Sequence, residues 1–272
     1  MLSSLILFFI LERRNNFSSY QIILFRFLSI IFNILFLFFA SKAYNLSETF
    51  TDLNHVNVFE YIIIGDLTLR LACDALVFFN QHTRIIISNG IFDTLLNTKT
   101  PFFRIILNKG ISSLLYSGLF LFVELLILFI ISNYSFGFIE FLFALLLNIM
   151  ALPLFISLGL INCALYIHFR RGSSVTGIIT TLLSVTSGAY FPIAVFPKFF
   201  TGLISGLNPF FYLVKQTRLI LSAEKILSIT SYLSSLCYIL AIGLIAMIIS
   251  YKAMKYALKI YRKKGVRLKT LR

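Results

Sequence analysis

Residues 22–41 read IILFRFLSIIFNILFLFFAS, twenty positions with one charge, Arg26. A helix of roughly 20 apolar residues is what crosses a hydrocarbon layer. Comparable blocks recur at about 58–80, 105–131, 138–168, 174–191 and 228–250. The composition agrees: of 272 residues, 59% are hydrophobic and only 12% charged, with 31 Phe. A soluble domain is about a quarter charged. These blocks predict an all-α integral membrane protein with six transmembrane helices. A β-barrel needs short alternating strands, and these are continuous runs. Residues 5–11, LILFFIL, are too short to span and are followed by Glu12, Arg13 and Arg14, which suits an interfacial helix. The expected organisation is an N-terminal interfacial segment at 1–20, a transmembrane domain at 21–252 and a basic tail at 253–272.

The net charge of +14 does not point to nucleic acid, because of where the cations lie. Nine of the 24 Lys and Arg fall in 250–272, and most others sit in short connections. With the N-terminus inside, eighteen cations face that side, among them Arg84, Lys99, Arg104, Arg170 and Arg171. Five face outward: Lys42, Lys198, Lys215, Arg218 and Lys225. The positive-inside rule places both ends in the cytoplasm of a multi-pass protein of the cell membrane.

Catalytic chemistry has little support. The sequence lacks a phosphate-cradling GxxxxGK[ST], an HExxH and a GxSxG. Cys73, Cys163 and Cys237 are isolated within apolar segments, and His55, His82 and His168 are far apart, so no metal site is expected. The chain is not read as an enzyme, and no cofactor is assigned to it.

Asp66, Arg70 and Asp74 stand at i, i+4 and i+8 and share one face of the second span. A charge in hydrocarbon costs at least about 2.5–3.5 kcal/mol on insertion scales, so this face points into the bundle or a wet cavity. Each acid is expected to pair with the arginine, either as a lock between helices or as the lining of a polar path. Glu124 needs a partner of its own. Asn33, Asn148 and Asn162 are candidates for contacts between helices. Pro153 is expected to kink the long fourth span.

Two connections stand out. In 88–103, Gly90 permits a tight turn and Pro101 limits a short helix. Ile91, Phe92, Leu95 and Leu96 fall along one side of it, with Asp93 near its start. It either lies in the interface or docks into a groove of a soluble partner, with Phe92 and Leu95 in the docking face. The stretch 187–221 is too apolar for a free loop and too broken for a span. Re-entrant or interfacial helices fit it.

These segments carry a family resemblance. Ser187-Gly188, Pro192, Pro197, Asn208-Pro209 and Arg218, in that order, together with Gly90-Ile91-Phe92-Asp93-Thr94-Leu95-Leu96 before Pro101, resemble the membrane subunit of type-2 ATP-binding-cassette (ABC) exporters. The resemblance covers nearly the whole chain. The Asp66–Arg70–Asp74 face and the lack of Trp depart from its pattern. It implies that residues 90–96 form a coupling helix against a cytoplasmic ABC ATPase subunit. ATP and Mg would be held by that subunit. It implies a homodimer or a pair with a related permease chain, and an outer region built around Gly188, Pro192, Pro197, Asn208, Pro209 and Arg218. The substrate would be an amphiphilic drug-like or lipid-like molecule, with lipid-linked polysaccharide as the alternative. Two rival readings are a secondary carrier or channel, which calls for an internal repeat not seen between 22–131 and 138–250, and an intramembrane lipid-processing enzyme.

Overall fold

The computed structural model describes residues 6–11, 20–43, 58–131, 138–169, 172–190, 197, 199, 201–202, 208–221 and 229–264, and every regular element among them is helical. A short helix, α1, covers 6–11. There follow α2 (Tyr20–Ala43), α3 (Val58–Ser88), α4 (Phe92–Leu96), α5 (Phe102–Ile131), α6 (Phe138–Met150), α7 (Leu152–Phe169), α8 (Gly172–Thr186), α9 (Pro209–Leu221) and α10 (Ile229–Lys264). Among the described residues four stretches are long and apolar enough to cross a membrane: Ile23–Lys42, Phe102–Leu126, Ile139–Phe169 and Tyr232–Lys263.

At the centre lies α3, packed against α2, α5, α7, α8 and α9. It carries Glu60, Asp66, Arg70, Asp74 and Arg84, and its neighbours cover much of its surface. Phe79, fully buried on α3, fills the space left by two glycines: a Cβ on Gly110 of α5 or Gly159 of α7 would stand 2.1 or 2.4 Å from its ring. Small residues there let three backbones approach closely, the usual route to helix association where no water drives it. The long α10 lies mainly along α7, and α9 inserts between α3 and α6. By contrast α2 touches chiefly α3 and leaves Phe25, Phe32, Phe36 and Phe39 exposed. Phe9 of α1 meets Tyr116 of α5 at a tilt of 34°, ring centroids 5.0 Å apart.

Two expectations are corrected, and the fourth span is interrupted where Pro153 was expected to kink it. There α6 ends at Met150, Ala151 forms a turn and α7 starts at Leu152, while Ala151 N–H still reaches Leu147 O at 3.1 Å and Phe155 N–H reaches Ala151 O at 3.1 Å. Pro153 has no N–H to continue the ladder, and Leu154 N–H turns back to Ala151 O at 2.9 Å. The fifth block is a 15-residue helix ending at Thr186, shorter than the span expected over 174–191. The last helix does not stop near Tyr251. It runs to Lys264, so the first part of the basic segment at 253–272 is a helical extension packed on the protein. Arg170, Arg171 and Pro192 lie outside the described residues, as do the connection 44–57 and residues 265–272.

Candidate functional site

The charged face of α3 is the first candidate. Arg70 forms ion pairs with Asp66, at 3.2 Å, and with Glu124 of α5. Glu124, 1% exposed, thus has the partner its burial demands, about six turns into a helix from another part of the chain. Asn33 of α2 donates to both acids, 3.3 Å to Asp66 Oδ2 and 3.3 Å to Glu124 Oε1. Tyr190 donates to Asp66 Oδ1 at 2.6 Å. Asp74 differs from expectation: it accepts a hydrogen bond from Ser117 of α5, and the pairs that Arg70 forms are with Asp66 and Glu124. The cluster therefore joins α2, α3, α5 and the turn after α8. It is a multi-helix lock in which one guanidinium pairs two carboxylates, Asp66 and Glu124. Asp66 and Arg70 keep 13% and 26% of their side-chain surface, so the lock is open on one side.

Of the three asparagines, Asn33 and Asn162 do bridge helices. Asn162 donates to Leu76 O and to Thr176 Oγ1, each at 2.9 Å, tying α7 to α3 and α8. Asn148 does not: its amide donates back to Ala144 O on its own helix. Its buried Oδ1 has no partner among the described residues, and Asn148 lines an apolar cavity of about 330 Å³ between α3, α5, α6, α7 and α9.

The second candidate is the node around Arg218. Its guanidinium donates to Tyr61 O at 3.0 Å, Gly188 O at 2.9 Å and Ala189 O at 2.6 Å. It also lies over the Tyr61 ring, 3.4 Å from the centroid. One planar fork thus satisfies carbonyls at the end of the α8 turn and near the start of α3, a task suited to Arg rather than Lys. Gly188 takes φ +70, which ends α8 and frees those carbonyls. Gly65 lets the turn press against α3: a Cβ there would stand 2.3 Å from Ala189 O. Asn208 caps α9, accepting the Phe210 N–H at 2.9 Å, and donates to Thr186 Oγ1 at 3.0 Å. Pro209 occupies the first helical position, where a missing N–H costs nothing. Gly188, Asn208, Pro209 and Arg218 thus gather at one place. Pro197 is described and exposed, and it is not among the residues whose hydrogen bonds build the node; Pro192 lies outside the described residues. Tyr61 and Gly65, absent from the sequence reading, complete the site. No motif marks them, since a Tyr and a Gly in an apolar span look like ordinary packing.

The third candidate is α4. The end of α3 is a Schellman turn: Gly90 N–H reaches Ile87 O at 3.1 Å and Ile91 N–H reaches Ile86 O at 3.2 Å, with Gly90 at φ +70. The expected docking face is corrected here. Phe92 is 2% exposed, held edge-on between Phe102 of α5, at 4.9 Å, and Tyr261 of α10, at 4.6 Å. Leu95 and Leu96 are half-buried against the same core. Ile91, Asp93 and Thr94 are what α4 shows outward. Tyr261 also donates to Asp93 Oδ1 at 3.1 Å. The spacing of Phe92 and Leu95 reflected an anchor inside the chain, because α10 extends far enough to cover them.

A family model described as ABC-2 type transporter matches residues 7–221. That range includes all three candidates apart from Tyr261. No curated protein matches the sequence significantly.

Proposed function

The chain belongs to the ABC-2 type transporter family, and from that premise we propose that it is the permease subunit of an exporter driven by a separate ABC ATPase. Membership makes it a multi-pass transmembrane permease rather than itself an ATPase. In the proposed arrangement ATP and Mg are bound and hydrolysed on the partner subunit. Two permease chains, identical or related, enclose the path. Six spans place both ends in the cytoplasm of the cell membrane, with α1 at the interface. The Arg218 node belongs to the outer, re-entrant region between spans five and six.

The observation that carries this reading is the clamp on α4. The helix is joined covalently to α3 and α5 and gripped by α10 through Phe92, Tyr261 and Asp93. A push on its outward face is therefore delivered to three long helices at once. Packed interfaces of this kind move between discrete arrangements rather than deform continuously. The substrate is an amphiphilic drug-like or lipid-like molecule, a class favoured by the leucine-lined 330 Å³ cavity and its single orphaned amide oxygen.

The test uses the outward positions of α4. The double variant Ile91→Glu, Thr94→Arg alters exposed side chains and leaves Phe92 in place. It is expected to fold with the parent's Tm, to lose co-purification with the ATPase subunit and to lose substrate-stimulated ATP hydrolysis. Unchanged recovery and an unchanged rate would overturn the coupling role.

A further inference from the structure

Beside the coupling segment, the start of α5 and the last turns of α10 enclose a groove of about 920 Å³. Its rim carries Lys99, Arg104, Lys255, Lys259, Arg262 and Lys263, and among the described residues no acidic one lines it. Among the described residues none of the six forms an ion pair. The nearby Asp93 gives its carboxylate to Tyr261 instead. Lys255, Lys259, Arg262 and Lys263 stand at i, i+4, i+7 and i+8, so one face of α10 gathers four like charges in about two turns. Like charges at this spacing repel one another. The arrangement calls for an anion.

The floor says which anion. Phe102, Phe103, Leu107, Tyr251, Met254 and Leu258 lie beneath the cations. Phe103 and Tyr251 meet edge to face, centroids 5.1 Å apart. Both helices continue from here into stretches apolar enough to span, Phe102–Leu126 and Tyr232–Lys263. The groove therefore begins in apolar surface and ends in charge within one site. An acidic protein segment matches the rim but not a floor that runs on into the span. We infer that this groove holds the headgroup of an anionic phospholipid, its phosphate among the cations and its glycerol and first methylenes on the aromatic floor. Basic pockets between membrane helices bind such headgroups. The inference does not rest on the transported substrate or on the role of α4.

The chain has no Trp, so Phe103→Trp supplies a single fluorescent reporter in the floor. The full chain carrying it is reconstituted in bilayers that mix phosphatidylcholine with phosphatidylglycerol, with bromine on the acyl chains of one lipid or the other. Brominated phosphatidylglycerol is expected to quench several-fold more strongly at equal mole fraction. Adding Lys255→Gln, Lys259→Gln and Arg262→Gln, all exposed side chains, should abolish that preference. Each cation near a charged surface contributes up to about fivefold. Arg84→Gln with Lys252→Gln, exposed cations that do not line the groove, should preserve it. Native mass spectrometry of the Trp-free parent should retain phosphatidylglycerol adducts that the triple variant loses, which covers a reporter that disturbs Tyr251. Equal quenching by both lipids in the reporter chain with no selective adduct on the parent, or a preference that survives the triple variant, overturns the inference.

Discussion

Arg70 and Arg218 solve opposite problems with the same side chain. Arg70 faces acids. Removing it, as Arg70→Leu, leaves Asp66 and Glu124, among the described residues, with the neutral donors Asn33 and Tyr190. An uncompensated intramembrane charge costs about 2.5–3.5 kcal/mol or more. The variant is expected to give a lower folded yield in detergent, and Arg70→Leu with Glu124→Gln should recover part of it. Size-exclusion recovery checks both, and a double variant no better than the single would mean that charge pairing is not what the lock supplies. Arg218 faces carbonyls, and the glycine opposite it is the sensitive point. Gly65→Val places carbon within 2.3 Å of Ala189 O and 2.6 Å of Arg218 Nη2. Overpacking of this kind costs about 1–3 kcal/mol, so Tm should drop clearly while Gly118→Val, with open space around it, should not. The α3 charges were legible in the sequence because charge in an apolar run is conspicuous and helical spacing puts it on one face. Which acid the arginine would choose was not, because Glu124 lies 54 residues away and only the packing of α5 on α3 selects it over Asp74.

At the scale of elements, the short helix between α3 and α5 was legible from its punctuation. Gly90 and Pro101 bound it, and the structure places five helical residues between them. Its outward face was not legible. A five-residue helix offers too few positions for periodicity to separate a face turned to a partner from one turned to its own chain. What decides the matter is that α10 continues to Lys264, and the cations after Tyr251 made that continuation read as a tail. Phe92→Ala tests the resulting picture. Truncating a buried aromatic costs about 3–5 kcal/mol in a well-packed core. The clamp from Phe102 and Tyr261 would be lost, so stimulated ATP hydrolysis should fall even though Ile91, Asp93 and Thr94 are intact. Phe92→Leu, which keeps apolar volume, should retain more of both stability and stimulation. Equal activity in Phe92→Ala and the parent, measured with the ATPase subunit in nanodiscs, would mean that α4 acts without its anchor. The break at Ala151 is a related case. Pro153 and its missing donor were visible in the sequence, and the turn falls two residues before it.

For the molecule as a whole, the contacts fix which segments share an end. Tyr61 lies near the start of α3 and meets Gly188 and Arg218. Ser88 ends α3 some 40 Å away at 1.5 Å per residue. The α4 turn, the start of α5 and the last turns of α10 gather at that second end, as the Tyr261–Asp93 bond requires. Lys99, Arg104, Lys255, Lys259, Arg262 and Lys263 are there together, whereas Lys42 ends α2, near the α3 start. A charge imbalance this lopsided orients a multi-span protein with its basic end inside. Relative placement and absolute orientation are measured together. In a chain whose Cys73, Cys163 and Cys237 are replaced, single cysteines are placed at Thr98, Arg262 and Asn208. A membrane-impermeant maleimide applied to intact cells should label only the cysteine at 208, and after lysis those at 98 and 262 should react as well. Labelling of 98 and 262 from opposite sides would contradict the packing of α10 on α4. Labelling of both from outside, with 208 protected, would keep that packing and reverse the orientation, placing the α4 face where no cytoplasmic ATPase reaches it.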